Sequence, residues 1–457
     1  MLAAGWALFA FAGAYRWTVV PLIAGSLLLA AAVRPSILRA PYRVLDLALL
    51  SCLIITAAQL IPLSPAARGA FSPAAAGVER TLLVQADIAS RRPLTLDTES
   101  TIWALAFGAA LLLVFWSARS IFGRGGGLRL VLRGLAWFGL ALAAIMFVQR
   151  AITPDLIYGL WPPITRASHP EPLGPFVNRN DIATWLILGC PIVFGYAIAR
   201  LESQDGSRSA LGIESLADSR TLWLAASVCL MMAALLASLS RSGLFGGAVA
   251  LLVFAVLARR RLPRQRFGWL FVALAGLSAI AATYANLTAL MQRISDTVPS
   301  DLGGRLTVWR ETWPMARDFL QTGLGVGAFA RGMLVYQQST RLIFFNHAHN
   351  EYLQILVEGG LLLAIPAALA LLAGAWGAYR RLRDDLSPVF WIRAGAISGL
   401  AAVAAQSIWD TGLRMPANAA LFALVAAAAL HTSGPRPVRR TQSVSPSPSD
   451  RGFLEQR

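Results

Sequence analysis

Long apolar runs dominate the pattern of hydrophobic and polar positions along this chain. A helix crosses the hydrocarbon core of a bilayer with about 17–25 residues, and somewhat shorter runs are tolerated. By this criterion twelve runs are predicted transmembrane helices, of which the first is the weakest. They occupy residues 1–14, 17–33, 44–61, 101–118, 128–149, 181–199, 221–238, 243–258, 268–287, 352–378, 389–409 and 417–432. The pattern therefore predicts an all-α, polytopic integral membrane protein.

The composition agrees with this prediction. Of the 457 residues, 56% are hydrophobic and only 14% are charged, and the mean hydropathy is +0.59. A soluble globular protein has about a quarter of its residues charged. The three cysteines, Cys52, Cys190 and Cys229, lie within apolar runs at unrelated spacings. Such cysteines indicate neither a disulfide framework nor a metal site.

The distribution of arginine predicts how the chain crosses the membrane. The formal net charge is +17, and all 40 basic residues are arginine. A basic surplus also occurs in nucleic-acid-binding proteins, but in membrane proteins it marks cytoplasmic loops, so we expect no nucleic acid partner. The arginines cluster at 34–43, 119–129, 259–266 and 380–383. This pattern predicts that both termini are cytoplasmic, although the loop at 200–220 is slightly acidic.

The same topology places the long segments 62–100, 150–180 and 288–351 together on the periplasmic face. We expect a transmembrane domain over residues 1–432 and a disordered cytoplasmic tail over 433–457, which is rich in Ser, Pro and Arg. Within the large loop at 288–351, apolar residues from Leu302 to Leu320 recur at steps of four and three. That spacing predicts an amphipathic helix in the membrane interface.

The candidate chemistry lies in four polar clusters on this predicted outer face. They are GPFVNRND at Gly174–Asp181, SLSRSG at Ser238–Gly243, Arg305 with Trp309 one helical turn apart, and the polar part of RLIFFNHAHNEYLQILVEGG at Arg341–Gly360, which opens into an apolar helix containing Glu358. Ionisable residues at a membrane edge are functional candidates by default. The glycine-rich TGLGVGAF stretch at Thr322–Phe329 predicts a tight turn, because it lacks the Lys-Ser/Thr pair of a phosphate loop.

Two arginines and a histidine pair suggest a specific use for these clusters. The arginine side chain is a planar fork that matches phosphate oxygens in pairs. Arg241 and Arg305 would together hold a lipid-linked diphosphate and stabilise it as a leaving group. A neutral histidine nearby, His347 or His349, could take the proton of an attacking hydroxyl. On residue type alone, the alternative that these side chains only contact lipid headgroups stays open.

Taken together, SLSRSG, RLTVW at Arg305–Trp309, TGLGVGAF and HNEYLQILVEGG at His349–Gly360 resemble the O-antigen ligase and O-antigen polymerase family. GPFVNRND and WDTGLRMP at Trp409–Pro416 look like further features of that family. The resemblance is densest from about 175 to 420. The first 150 residues match only in being apolar.

The resemblance implies a bacterial inner-membrane glycosyltransferase with a large periplasmic loop and its active site on the periplasmic face. Such enzymes move glycan from an undecaprenyl diphosphate carrier to an acceptor hydroxyl, without nucleotide sugar, metal or other cofactor. It also implies that Arg241 and Arg305 contact the diphosphate and that His349 is the essential histidine, although His347 remains an alternative. An in-line displacement would invert the anomeric configuration. The residues that we expect to bind substrate are His347, Asn350, Glu358, Trp309, Asn180 and Arg179.

The acceptor is not fixed by these motifs. A lipid A core would make the protein a ligase of lipopolysaccharide, and a second lipid-linked glycan would make it a polymerase of O-antigen or exopolysaccharide. A protein Ser or Thr would make it an O-oligosaccharyltransferase, which we favour less. A transporter or flippase commonly carries repeats and polar sites near mid-membrane, whereas these polar residues gather at one face. A scaffold would need no clustered Arg and His. Membrane lipids are expected partners in every case.

Overall fold

A computed structural model describes residues 1–82, 90–124, 126–163, 172–205, 219–261, 304–339 and 344–431. Within these ranges the chain is a bundle of helices with no β-strand. Eight of the described helices are long and apolar enough to cross a membrane. The protein is therefore an all-α, multi-pass membrane protein, as the apolar runs predict.

The helix bounds follow the predicted runs closely. The helices are α1 Leu2–Phe9, α2 Arg16–Val33, α3 Arg43–Ala58, α4 Pro65–Phe71, α5 Pro73–Leu82, α6 Thr98–Phe122, α7 Gly127–Ile152, α8 Arg179–Asp205, α9 Ser219–Ala237, α10 Arg241–Ala258, α11 304–318, α12 Phe329–Tyr336, α13 Glu351–Arg383, α14 Val389–Gln406 and α15 Pro416–Leu430. The eight candidate spans are α2, α6, α7, α8, α9, α10, α13 and α14.

The predicted count of twelve spans is not confirmed. The runs at 1–14, 44–61 and 417–432 form the shorter helices α1, α3 and α15, of 8, 16 and 15 residues. Helix α1 ends early because Phe11 and Ala12 take positive φ angles of 55° and 54°, which no helix accommodates. The run at 268–287 and the tail at 433–457 lie outside the described residues.

Helices α8 and α14 form the centre of the bundle. In their apolar segments 78% and 67% of the residues are buried, compared with 22% in α2. The two backbones approach closely at glycines. A Cβ on Gly195 would lie 2.1 Å from the carbonyl oxygen of Trp391, and one on Gly395 would lie 2.1 Å from that of Pro191. Small residues at such crossings are typical of helix packing in membranes.

The two ends of the bundle differ in character. At one end Arg261, just after α10, donates to the backbone oxygens of Asp385 and Ser387, which connect α13 to α14. It also lies 3.3 Å from Glu202 near the end of α8. The ends of α8, α10 and α13 therefore meet here, together with two arginine clusters predicted to be cytoplasmic. The first residues of α8, α10 and α13 meet at the opposite end of the bundle.

That opposite end carries a second apolar core beneath the short helices. Buried side chains of α5, α11, α12 and the start of α13 contribute to it, among them Val78, Met315, Phe329 and Val357. The predicted interfacial stripe is exposed only in part: Leu306 and Trp313 of α11, and Leu320 just after it, are exposed, whereas Ala316 is buried beside Met315. Helices α5, α11 and α12 and the first residues of α13 thus pack against one another.

Candidate active site

Helix α13 opens the site and is interrupted two turns later. Asn350 caps its start, with its side-chain oxygen accepting the Leu353 N–H at 3.0 Å. At Gly360 the backbone leaves the helix, with φ +61° and ψ −169°. A Cβ there would lie 2.3 Å from the Gln321 oxygen. Only glycine fits this position, since both the angle and the space exclude a side chain.

The predicted glycine turn at Thr322–Phe329 supplies hydrogen-bond partners for backbone groups that the break at Gly360 leaves unpaired within the helix. The carbonyl oxygens of Val357 and Glu358 accept the N–H groups of Leu324 and Gly325, each at 3.0 Å. Leu361 and Leu362 donate to Leu320 and Gln321, and Gln59 Nε2 donates to the Glu358 oxygen at 2.9 Å. The backbone bonds lost at the break are therefore replaced, and the half-helix 351–358 is held rigidly under the His347–Asn350 loop.

Gln354 connects that loop to the half-helix. Its Oε1 accepts the Ala348 N–H at 3.0 Å, while its Nε2 lies 3.1 Å from Glu358 Oε1 and 3.3 Å from His347 Nδ1. Because the oxygen faces Ala348, the amide N–H groups face Glu358 and His347. An amide nitrogen only donates, so His347 Nδ1 accepts and the imidazole proton resides on Nε2. One glutamine thereby fixes the tautomer and the orientation of His347.

Arg414 compensates two buried carboxylates at the base of the site. Its Nη2 and Nη1 donate to Glu358 Oε2 and Oε1 at 2.9 and 3.3 Å, and its Nε lies 3.4 Å from Glu351 Oε2. Glu358 and Glu351 are only 2% and 8% exposed. A buried carboxylate needs a charged partner. The short turn Gly412–Arg414 before α15 supplies that partner to α13.

The SLSRSG turn forms a second polar patch. Ser240 caps α10 and donates to Asn180 Oδ1 at 2.7 Å, and Ser242 donates to Asp410 Oδ2 at 2.8 Å. Asp410 is buried, and its Oδ1 accepts the Thr411 N–H at 2.9 Å. Arg241, half-buried, stands between the two serines as the first residue of α10. The serines of this turn therefore join the start of α10 to the start of α8 and to the buried Asp410 of the 407–415 connection.

His349 lies in the same loop as His347, two residues nearer α13, and the charges of Asp410 and Arg305 act on it. It is half-buried and takes a positive φ of 49°, which is uncommon for a residue other than glycine. Burial lowers the pKa of its imidazole; the positive charge of Arg305 acts in the same direction, and the carboxylate of Asp410 opposes both. The imidazole is consequently neutral at neutral pH and lies within the electrostatic reach of the Asp410 carboxylate. That combination suits a group that accepts a proton.

Comparison with known proteins finds a family match for part of the chain, and that part includes both histidines of the site. Residues 225–368 match the O-antigen ligase family. The match confirms the resemblance that the motifs indicate, and together with the bundle it supports a membrane enzyme that transfers glycosyl groups. A search of curated proteins found no match.

The O-antigen ligase segment contains most of the predicted site residues. Arg241, Arg305, His347 and His349 lie within it, and the charges of Arg305 and Asp410 both reach His349. Arg305 is half-buried in the first turn of α11.

The remaining predicted substrate-binding residues have varied surroundings. Trp309 Nε1 donates to the Ala348 oxygen at 3.0 Å, and Asn350 caps α13, so both side chains support the histidine loop. Glu358 is engaged by Arg414, and Asn180 accepts from Ser240. Arg179 is exposed at the first turn of α8. The described contacts of the first four are with the protein's own chain.

The two histidines of the matched segment have different surroundings. Burial, and after it the charge of Arg414, lowers the pKa of His347 to about 4, whereas Glu358 opposes the shift. A base with so low a pKa accepts a proton poorly near neutral pH. His347 also uses its Nδ1 to accept from Gln354. The surroundings of His349 therefore suit a base better than those of His347.

Three site residues were not singled out from the sequence: Gln354, Asp410 and Arg414. The last two lie beyond the matched segment, in WDTGLRMP, whose resemblance to the family came without assigned roles. The sequence marks Asp410 and Arg414 as candidates only in that they are charged residues in a short stretch between two apolar runs. Gln354 gave none, because a polar residue in the first turn of a helix is ordinary.

Proposed function

We propose that this protein is a membrane glycosyltransferase of the O-antigen ligase type, which transfers glycan from undecaprenyl diphosphate to an acceptor hydroxyl at the periplasmic face of the inner membrane. One observation carries the proposal. His349, neutral and half-buried, lies within the electrostatic reach of the Asp410 carboxylate and the Arg305 guanidinium at one end of the bundle. This group of residues can pair a proton acceptor with an anion-binding arginine.

The reaction is a displacement at the anomeric carbon of the glycan. The oxygen of the acceptor hydroxyl forms a bond to that carbon while the bond from the carbon to the phosphate oxygen breaks. Undecaprenyl diphosphate leaves with the electron pair, and His349 takes the hydroxyl proton. An in-line attack of this kind inverts the anomeric configuration, and no covalent glycosyl-enzyme forms.

Arg241 and Arg305 hold the diphosphate in this mechanism. Guanidinium groups match phosphate oxygens in pairs and stay charged, so they stabilise the negative charge that develops on the leaving group. Asp410 stabilises the imidazolium that His349 becomes after taking the proton. Glu358, Arg414 and Gln354 position the histidine loop from beneath and do not touch the reacting atoms.

The similarity to O-antigen ligases favours a ligase over a polymerase or a protein transferase. We therefore propose a lipid-anchored sugar, as in a lipid A core, as the acceptor. Transfer to a second lipid-linked glycan or to a protein hydroxyl would use the same donor site. Incubating the purified protein with lipid-linked glycan and each acceptor separately distinguishes the three.

Replacing the arginines by lysine tests the diphosphate site. Lys keeps the positive charge but lacks the two-pronged geometry. Arg241→Lys and Arg305→Lys should each lose most transfer activity while remaining inserted in the membrane, and Arg310→Lys, exposed on the same helix as Arg305, should keep it. Full activity in either of the first two variants would show that the fork geometry is not used.

A further inference from the structure

A cavity lies among α7, α8 and α9, at the other end of the bundle from the candidate active site. Its volume is about 270 Å³. Three arginines line it, Arg133, Arg200 and Arg220, together with aromatic residues. These positions lie in the first turns of α7 and α9 and the last turns of α8, whereas the candidate active site lies where α8 begins and α9 ends. The cavity is therefore separate from that site.

The charges around this cavity favour an anion. Among the described residues, none of those that line it is acidic. Arg133 is exposed, and its Nε donates to Tyr196 Oη at 3.4 Å, which orients the guanidinium. Arg133, Arg200 and Arg220 therefore bring positive charge to the lining of one cavity. Guanidinium groups suit the oxygens of a phosphate in particular.

Aromatic side chains place the cavity at the depth of lipid headgroups. The rings of Trp137 and Trp223 lie 4.8 Å apart, and Trp137 is 57% exposed on the outer surface of the bundle. Trp residues gather at the two membrane interfaces. Arg133 lies six residues after the start of α7, about 9 Å along the helix. That depth suits a headgroup at the edge of the bilayer.

A second observation points to a bound ligand. Trp223 Nε1 is buried and has no hydrogen-bond partner within the described part of the chain. Trp223 lines the same cavity as the arginines. A buried donor without a partner is costly, and a phosphate oxygen in the cavity would supply one.

We propose that this cavity binds the phosphate group of an anionic phospholipid on the predicted cytoplasmic face. Basic pockets between transmembrane helices on that face bind such headgroups. A free phosphate offers the same oxygens but has no acyl chains to lie against the exposed Trp137. The proposal does not depend on the transferase activity. The sequence alone does not indicate this cavity, because the segment 200–220, which begins with Arg200 and ends with Arg220, is slightly acidic overall.

Native mass spectrometry of the purified full chain with phosphatidylglycerol tests the proposal. We compare wild type with Arg133→Gln, Arg200→Gln, Arg220→Gln and the triple variant. Each arginine near a membrane surface contributes about fivefold to the affinity for anionic lipid, so the triple variant should bind about a hundredfold more weakly. Arg129→Gln is the control, because Arg129 is exposed one turn earlier on α7 and does not line the cavity.

Inorganic phosphate distinguishes the two sources of the ligand. Retention of phosphatidylglycerol in the presence of millimolar phosphate supports the lipid. Binding of inorganic phosphate in its place, lost in the triple variant, supports a phosphate site but assigns it to a soluble ligand. Equal binding of phosphatidylglycerol by the triple variant and wild type would overturn the proposal. Arg133 and Arg220 are exposed, so their single variants remain informative if Arg200→Gln unfolds the protein.

Discussion

Replacing Glu358 by glutamine tests the buried charge pair beneath the histidine loop. The substitution keeps the shape of the side chain and removes its charge. Glu358 is 2% exposed, and both of its oxygens accept from Arg414, at 2.9 and 3.3 Å. Removing one partner of a buried pair costs about 3–5 kcal/mol. Glu351 stays 3.4 Å from Arg414 and keeps part of its charge compensated, so we expect a loss of about 2–3 kcal/mol.

Unfolding of the purified protein by increasing SDS in mixed micelles measures this loss. The control is Glu99→Gln, since Glu99 pairs with Arg16 at the surface and both side chains are more than half exposed. An exposed pair contributes about 0–1 kcal/mol. The variant Glu358→Gln with Arg414→Gln should lose less stability than the two single variants added together. If Glu358→Gln costs no more than Glu99→Gln, the pair does not stabilise the site.

Three further predictions concern the pH dependence of transfer, the break in α13 at Gly360 and the membrane topology. Because burial lowers the pKa of His349, kcat/KM for transfer should stay constant down to about pH 6.5 and fall only below it; an acid limb centred above pH 7 would contradict this. Gly360→Ala should prevent accumulation of folded protein, measured by size-exclusion chromatography in detergent, whereas Gly77→Ala, where a Cβ meets nothing within 4 Å, should not. Reporter fusions after residues 90, 165 and 330 should report periplasm and those after 125, 262 and 384 cytoplasm; a cytoplasmic signal at 330 would place the site in the wrong compartment.

The sequence predicts a transmembrane helix well where one uninterrupted apolar run corresponds to one helix. The run at 181–199 becomes α8, and the run at 389–409 becomes α14. Burial in lipid or in the bundle favours a helix for either, since both environments leave backbone groups no other partner. The run at 417–432 becomes α15, which begins one residue earlier, at Pro416, and ends at Leu430, before His431.

The site was only partly predictable for a different reason. Arg241, Arg305 and His349 are recognisable because charged and titratable residues are rare in so apolar a chain. Arg414 is not, because its partners Glu351 and Glu358 are more than fifty residues away and only the packing of α15 against α13 joins them. The break at Gly360 depends on the 320–325 turn docking against it, a contact that the local pattern of residues does not encode.

In the proposed reaction His349 takes the proton of the acceptor hydroxyl, and the turnover of purified His349→Ala measures whether it does. With lipid-linked glycan and acceptor supplied, turnover should fall by roughly 10²–10⁴-fold while the donor still binds. His347→Ala, which removes a histidine oriented by Gln354, should be milder. In cells, lipid-linked glycan should accumulate and the finished conjugate should disappear only in the first variant. Normal transfer by His349→Ala, with or without a loss in His347→Ala, would contradict the account.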